Sequence, residues 1–190
     1  MKILLLQGAN MTYLGKRQPE IYGTTTAAGL DAMLLAHAKQ QGFELDIFYS
    51  NIEGEAINRL YRAVHEGVEG LVMNPAGFGY AGYALKDCLA AIPIPYIEVH
   101  LTNIEKRDIR PITRGVAKGV IFGFGIQSYF LGLDAMRRLL HRRPGWQFHP
   151  ASEWLLPLQG EGWDGDGLHA HPMAQGHPVP TLTLPLKGRE

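Results

Sequence analysis

The sequence predicts an α/β fold in which helices cover both faces of one five-stranded parallel sheet. Five short runs of branched and aromatic apolar residues alternate along the chain with longer segments whose apolar residues recur at helical spacing. The strand-like runs are apolar at nearly every position, which is typical of parallel strands buried on both faces. This alternation implies βα units joined by right-handed crossovers, so we predict a doubly wound sheet.

The predicted strands are all short and bounded by polar or turn-forming residues. They are KILLLQ (2–7), ELDIFYS (44–50), GLVMNP (70–75), PYIEVHL (95–101) and GVIFGFG (119–125). The predicted helices occupy the segments 25–42, 54–67, 81–92 and 126–143. The first of these places Leu30, Leu34 and Ala38 on one face and ends at Gly42, a common helix stop. A flavodoxin-like arrangement is the fold that this order of elements favours.

The chain changes character after residue 143. From Pro144 onward glycine and proline interrupt every possible helix, so we predict a domain over 1–143 and an irregular extension over 144–190. The extension contains His149, His169, His171 and His177. We interpret them as part of a polar tail and predict no metal site, because no carboxylate or thiol completes a ligand set at convincing spacing.

The bulk composition narrows the class of partner. The chain has 18 basic and 18 acidic residues and a formal net charge of zero, which argues against a nucleic-acid or anionic-membrane ligand. No apolar run is long enough to span a bilayer, and MKILLLQG is too short for a signal peptide. The single cysteine, Cys88, excludes a disulfide framework and fits a reducing cytoplasm.

Polar side chains follow the predicted strands where a doubly wound sheet binds its ligands, outside the carboxyl ends of the strands. Several such groups on one rim indicate a small-molecule site, although single ones are ordinary turn residues. The set comprises Asn10, Ser50, Asn51, Asn74, Glu98, His100, Thr102 and Asn103. Ser50 and Asn51 have the alternative of simply ending a strand. Glu98 and His100 are two residues apart on one strand, so the carboxylate can orient the imidazole and make it a better proton donor.

A second reactive pair lies in the connection after the first strand. The connection runs from Gly8 to Thr24, whereas such loops usually have two to six residues. It contains GKRQPEIYG (15–23), in which Arg17 and Tyr22 are five residues apart. A phenol is a poor base at neutral pH, but a neighbouring guanidinium stabilises the phenolate. The pair therefore permits an activated tyrosine if the loop folds back.

These motifs resemble the type II 3-dehydroquinate dehydratases. The resemblance rests on N-x-x-x-L-G-x-R-x-P-E-x-Y-G (10–23), S-N-x-E-G-E (50–55), N-P-A (74–76), A-L-x-D (84–87), I-E-V-H-L-T-N (97–103) and G-V-I-F-G-F-G (119–125). It covers residues 1 to about 140. The resemblance implies a flavodoxin-like enzyme that assembles as a dodecamer, a tetramer of trimers. It would dehydrate 3-dehydroquinate by anti elimination through an enolate, in shikimate biosynthesis or quinate catabolism. It also implies that no metal or other cofactor is needed.

The resemblance assigns roles to individual residues. Tyr22, activated by Arg17, would take the C2 proton, and Asn10 would hold the water that stabilises the enolate. His100, oriented by Glu98, would protonate the departing hydroxyl. The long loop would then act as a lid that closes over the substrate. The groups implied for substrate binding are Asn74, Tyr80, Leu101, Thr102 and Arg110, with Arg107 as the alternative arginine and Asp87 reaching a neighbouring subunit's site.

Three departures from the family pattern concern the substrate. Tyr80-Ala81-Gly82 stands where the family has H-T-S, and the loop after His100 is shorter, with Pro111–Arg114 replacing the H-S-Y portion. The extension is the third departure. Two alternatives to the dehydratase therefore stay open: a related lyase or isomerase acting on another cyclic keto-carboxylate, and a non-catalytic binding protein. A binding site needs no matched base and acid, so Tyr22 and His100 argue against the latter.

Overall fold

The computed structural model describes residues 1–141, and the predicted extension over 144–190 lies outside the described residues. Five parallel strands form one sheet in the order β2-β1-β3-β4-β5. They are β1 (Lys2–Ala9), β2 (Glu44–Tyr49), β3 (Gly70–Ala76), β4 (Tyr96–His100) and β5 (Gly119–Phe122). The prediction of a doubly wound, flavodoxin-like sheet is confirmed, while a boundary after residue 143 stays a prediction.

Four helices form in the segments that the apolar spacing predicted, and a fifth is a single turn. They are α1 (Pro19–Tyr22), α2 (Ala27–Gln41), α3 (Glu53–His65), α4 (Tyr83–Ala91) and α5 (Gln127–Leu140). The Thr26 hydroxyl caps α2 by accepting the Gly29 N–H at 3.1 Å, and Gly42 ends it with φ of 74°. Nowhere in residues 1–141 is a helix both long and apolar enough to cross a membrane.

The central strand β1 separates two hydrophobic cores. Ile3 and Leu5 pack against α2 and α5, whereas Leu4 and Leu6 pack with α3 and α4 on the opposite face. All four side chains are completely buried. Burial of this kind contributes roughly 1.5–3 kcal/mol for each aliphatic side chain. The need to fill both cores explains why the strand is continuously apolar instead of alternating.

The strand order places a crevice at the carboxyl ends of β1 and β3. From β1 the chain crosses to β2 at one edge of the sheet, and then returns to β3 on the other side of β1. The chain leaves β1 toward β2 and leaves β3 toward β4, which lies in the opposite direction, so the loops after β1 and β3 separate from one another. The long loop containing Arg17 and Tyr22 follows β1 and therefore lies beside this crevice.

Candidate active site

A cavity of about 220 Å³ lies at the carboxyl ends of β1, β3 and β4. Its polar lining consists of Asn10, Arg17, Tyr22, Asn74, Tyr80, His100, Thr102 and Arg107. Apolar side chains complete the wall, among them Met11, Leu14 and Leu101 from the first and fourth strand ends, and Ile104, Ile109 and Pro111 from the loop after β4. Apart from the alternative Arg107, the resemblance gave eleven residues a catalytic or substrate-binding role, and the structure brings eight of them together here, including Leu101.

The other three predicted residues do not line this cavity. Glu98 is completely buried behind His100. Asp87 is exposed on α4, where its part in another subunit's site stays a prediction. The Arg110 Nε donates to Asp108 Oδ1 at 3.2 Å, and the Arg110 side chain is 69% exposed. Of the two alternative arginines, Arg107 is the one that lines the cavity.

Two guanidinium groups surround the Tyr22 phenol. Arg107 Nη1 donates to Tyr22 Oη at 3.1 Å and to Thr102 Oγ1 at 2.9 Å. The Cζ atoms of Arg17 and Arg107 lie 5.7 and 5.5 Å from the centre of the Tyr22 ring. A cationic donor at the phenol oxygen stabilises negative charge there, as a base at this position requires. The arginine expected beside Tyr22, Arg17, is therefore joined by a second.

Tyr22 is held by a short helical turn within the segment that the sequence predicts to be a loop. Pro19 begins the single turn α1, which suits its fixed φ and missing N–H, and Tyr22 ends that turn. The preceding Gln18 has a left-handed φ of 43°, so the chain reverses between Arg17 and the turn. This reversal places the two side chains on the same side of the loop.

The imidazole of His100 is fixed by a buried carboxylate. His100 Nε2 lies 2.7 Å from Glu98 Oε1, and His100 is only 8% exposed. This contact assigns the Nε2 proton to the bond with Glu98 and leaves Nδ1 as the ring nitrogen that Glu98 does not use. Glu98 and His100 are thus in direct contact at the end of β4, and the orienting role of Glu98 stays a prediction.

A chain of buried hydrogen bonds orients the Asn74 side chain. Its Nδ2 donates to Tyr129 Oη at 2.8 Å, and its Oδ1 accepts the Ala76 N–H at 3.1 Å. Tyr129 in turn donates to Gln7 Oε1 at 2.8 Å. Burial raises the pKa of Tyr129 well above its usual range, so its hydroxyl remains a donor. One amide hydrogen of Asn74 remains for a ligand in the cavity.

Ser50 and Asn51 follow β2 directly and do not line the cavity. The Ser50 hydroxyl donates to Glu55 Oε2 at 2.6 Å and accepts the Ile52 N–H at 2.9 Å, so it organises the start of α3. Asn51 Oδ1 accepts the Asn10 N–H at 2.7 Å. Asn10 has a left-handed φ of 78°, and this contact supports that conformation. Asn51 therefore acts on the cavity indirectly, by holding Asn10.

No group of three or more His, Cys, Asp or Glu side chains within residues 1–141 is arranged to hold a metal ion. The chemistry available in the cavity is that of a phenol between two guanidiniums and of an imidazole bound to a carboxylate. One is suited to accept a proton and the other to donate one.

The known proteins to which this chain is similar are dehydroquinases. The family model described as dehydroquinase class II matches residues 1–137. A 3-dehydroquinate dehydratase of Saccharophagus degradans is 44% identical over 136 residues, which are 70% of this chain and 93% of that protein. The crystal structure of a type II dehydroquinase from Butyrivibrio crossotus superposes with a TM-score of 0.70 at 33% identity, covering 72% of this chain and 97% of that one. A type II dehydroquinase structure from Propionibacterium acnes gives 0.68 at 30%, covering 74% and 97%.

The fold, the cavity at the switch point of the sheet and these relatives define the class, which is that of an α/β enzyme. The chain belongs to the class II dehydroquinase family. The resemblance noted in the sequence motifs is therefore confirmed over the domain.

Proposed function

We propose that this chain is a hydro-lyase that removes water from 3-dehydroquinate to give 3-dehydroshikimate, by anti elimination through an enolate. The observation that carries the proposal is that Tyr22 and His100 line one cavity although they come from different elements, the loop after β1 and the end of β4. A base and an acid that approach from different segments can act on opposite faces of one ring. The family membership supports the same reaction.

In the first half of the reaction, Tyr22 removes the C2 proton next to the ketone. The proton passes to the phenolate oxygen, and the electrons of the C–H bond move onto the carbonyl oxygen to form the enolate. The hydrogen bond from Arg107 to Tyr22 supports the phenolate before proton transfer. Arg17 adds a second positive charge, and Asn10 holds the water that stabilises the enolate.

In the second half, His100 protonates the departing hydroxyl. The enolate electrons form the new double bond as the C–O bond breaks, and the His100 Nδ1 proton goes to the leaving oxygen. The Glu98 carboxylate stabilises the imidazolium before this step and holds the ring through Nε2. Asn74, Thr102, Tyr80 and the backbone at Leu101 bind the hydroxyls and carboxylate of the substrate.

Tyr80 supports a second candidate, a related lyase or isomerase acting on a different cyclic keto-carboxylate. Its side chain lines the cavity and is 67% exposed, so it can determine which ring fits. Such an enzyme would use the same proton-transfer residues.

We further propose a cytoplasmic homo-oligomer of trimers assembled into a dodecamer. Tyr83 on α4 is 68% exposed and shares that helix with the exposed Asp87, so one surface offers both an apolar contact and a charged group for a neighbour. The buried, free thiol of Cys88 fits a reducing compartment. Sedimentation analysis should give a mass of twelve chains, whereas a monomer at micromolar concentration would contradict the proposed assembly.

A direct assay tests the reaction. Purified protein is mixed with 3-dehydroquinate, and the absorbance of the enone product is followed with time. Turnover in the wild type that is lost in Tyr22→Phe supports the proposal. No enone formation by wild-type protein that binds the substrate would overturn it in favour of the second candidate or a binding protein.

A further inference from the structure

Glu98 is a buried carboxylate shared by three groups, of which only His100 reaches the cavity. Glu98 Oε1 is 2.7 Å from His100 Nε2. Glu98 Oε2 accepts the Tyr96 hydroxyl at 2.5 Å and the Thr113 hydroxyl at 2.7 Å. Glu98 and Thr113 are completely buried, and Tyr96 is 2% exposed. Burying a carboxylate costs free energy unless its oxygens are hydrogen-bonded, so the two hydroxyls offset the cost of burying Glu98.

Both hydroxyls are constrained to donate. An ionised carboxylate can only accept hydrogen bonds, so an O–H within bonding distance must point its hydrogen at it. Burial and the neighbouring Glu98 raise the pKa of Tyr96 well above its usual value, which keeps the phenol protonated and able to donate. Unlike Tyr22, Tyr96 therefore cannot act as a base.

We propose that Tyr96 and Thr113 are positioning residues for the acid of the reaction: they occupy Glu98 Oε2 and so direct Oε1 to His100. The inference rests on the proposed function, in which His100 is that acid. The two donors restrain the carboxylate from different directions. Tyr96 precedes Glu98 on the same face of β4, whereas Thr113 comes from the short 3-10 helix Ile112–Val116.

Thr113 also ties the acid to the loop that lines the cavity. Arg107, Ile109 and Pro111 all lie on the segment between His100 and Thr113 and all contribute to the cavity wall. The bond from Thr113 to Glu98 therefore fixes one end of that segment against the imidazole's partner. Without the donors, Oε2 would be left unpaired in a dry site, and the carboxylate would rotate or take up a proton. Either change would release His100 from its orientation.

Three variants test the proposal by steady-state kinetics with 3-dehydroquinate. Tyr96→Phe and Thr113→Val each remove one hydroxyl with little change in shape, and Thr113→Ser is the matched control because it keeps the donor. We expect kcat to fall about tenfold or more in the first two with KM within about threefold, and Thr113→Ser to stay within about threefold of wild type. Thermal unfolding of each variant reports any loss of stability separately, and Tyr96→Phe suffices if Thr113→Val does not fold.

A second readout needs no turnover. Magic-angle-spinning ¹⁵N NMR of histidine-labelled protein, with His100→Gln to assign the signal, should show Nε2 of His100 as a protonated, hydrogen-bonded nitrogen in wild type and in Thr113→Ser. The signal should shift or broaden in Tyr96→Phe and Thr113→Val. An unchanged His100 signal and unchanged kcat, or a Thr113→Ser defect equal to that of Thr113→Val, would overturn the positioning role. An inactive wild type would overturn the proposed function alone, because the NMR comparison still decides whether the two hydroxyls orient His100.

Discussion

Replacing Arg107 by methionine removes the guanidinium that donates to both Tyr22 and Thr102 but keeps an unbranched side chain on the cavity wall. The phenolate of Tyr22 then loses a charged donor at 3.1 Å, and Arg17 remains as the cation near its ring. Because the phenolate must form before the proton is taken, the loss should fall mainly on kcat. The hydrogen bond between His100 and Glu98 does not involve Arg107, so that pair and the fold should be unaffected.

The size of the effect follows from the kind of bond that is lost. A hydrogen bond to a charged group contributes roughly 1.5–3 kcal/mol when it is shielded from water. Arg107 is exposed, so solvent screening lowers this figure. We therefore expect a loss of about 1–2 kcal/mol in transition-state stabilisation, or roughly a five- to thirtyfold fall in kcat.

Arg110→Met is the matched control, since it removes the same charge from the same loop. Arg110 pairs with Asp108 away from the cavity, so its replacement should change kcat by less than about threefold. Both variants are assayed by enone absorbance over a range of 3-dehydroquinate concentrations, with thermal unfolding as the stability control. A larger loss in Arg110→Met than in Arg107→Met would refute the assignment of Arg107 to Tyr22.

Four further substitutions examine single contacts. Tyr22→Phe should abolish turnover while calorimetry still detects substrate binding, and near-normal kcat would contradict its role as base. Arg17→Lys keeps the positive charge but loses the planar guanidinium, so kcat should fall about tenfold. An unchanged kcat would contradict a role of Arg17 in activating Tyr22. Tyr80→His should lower kcat/KM for 3-dehydroquinate, whereas a rise of tenfold or more would favour the second candidate substrate. Tyr129→Phe removes the acceptor of Asn74 Nδ2 and should raise KM about fivefold with little change in kcat, and an unchanged KM would contradict a role in orienting Asn74.

The sheet and four of the helices could be predicted because their determinants are local and periodic. Residues such as Leu30, Leu34 and Ala38 recur at helical spacing and are buried together in the structure. The position of the cavity could also be predicted, since parallel strands bring their carboxyl ends to one edge. Asn10, Asn74 and His100 meet there although they are far apart in the chain.

The choice between Arg107 and Arg110 could not be made from the sequence. Asp108 and Ile109 lie between the two arginines. Asp108 has a left-handed φ of 49°, which reverses the chain, and the Ile109 N–H donates to the Ile104 carbonyl at 2.9 Å. This turn sends the two guanidiniums in different directions. Aspartate tolerates such a φ, but many aspartates do not adopt it, so no local signal decides which arginine faces the cavity.

The two hydroxyl groups that donate to Glu98 differ in how well the sequence predicts their contact with it. Tyr96 shares a strand face with Glu98 and His100, because side chains two residues apart point to the same side of a sheet. That alternation was visible in YIEVH, and it could have revealed the contact. Thr113 is fifteen positions from Glu98, and its contact depends on the path of the whole intervening loop. Spacing along the chain carries no information about such a path.

The proposed base and the proposed acid lie on parts of the molecule that differ greatly in burial. His100 ends a strand whose five residues are all buried, and its orientation is fixed by the buried Glu98. Tyr22 ends a single helical turn that has no buried residue, and one turn cannot be stable by itself. Segments with few buried apolar contacts are generally the ones that open at the lowest free-energy cost. The phenol oxygen is bonded to Arg107 across the cavity, on the loop after β4, so that contact joins the turn that ends at Tyr22 to the segment that follows His100. The bond that holds the turn across the cavity is therefore the same bond that brings a charged donor to the phenol oxygen.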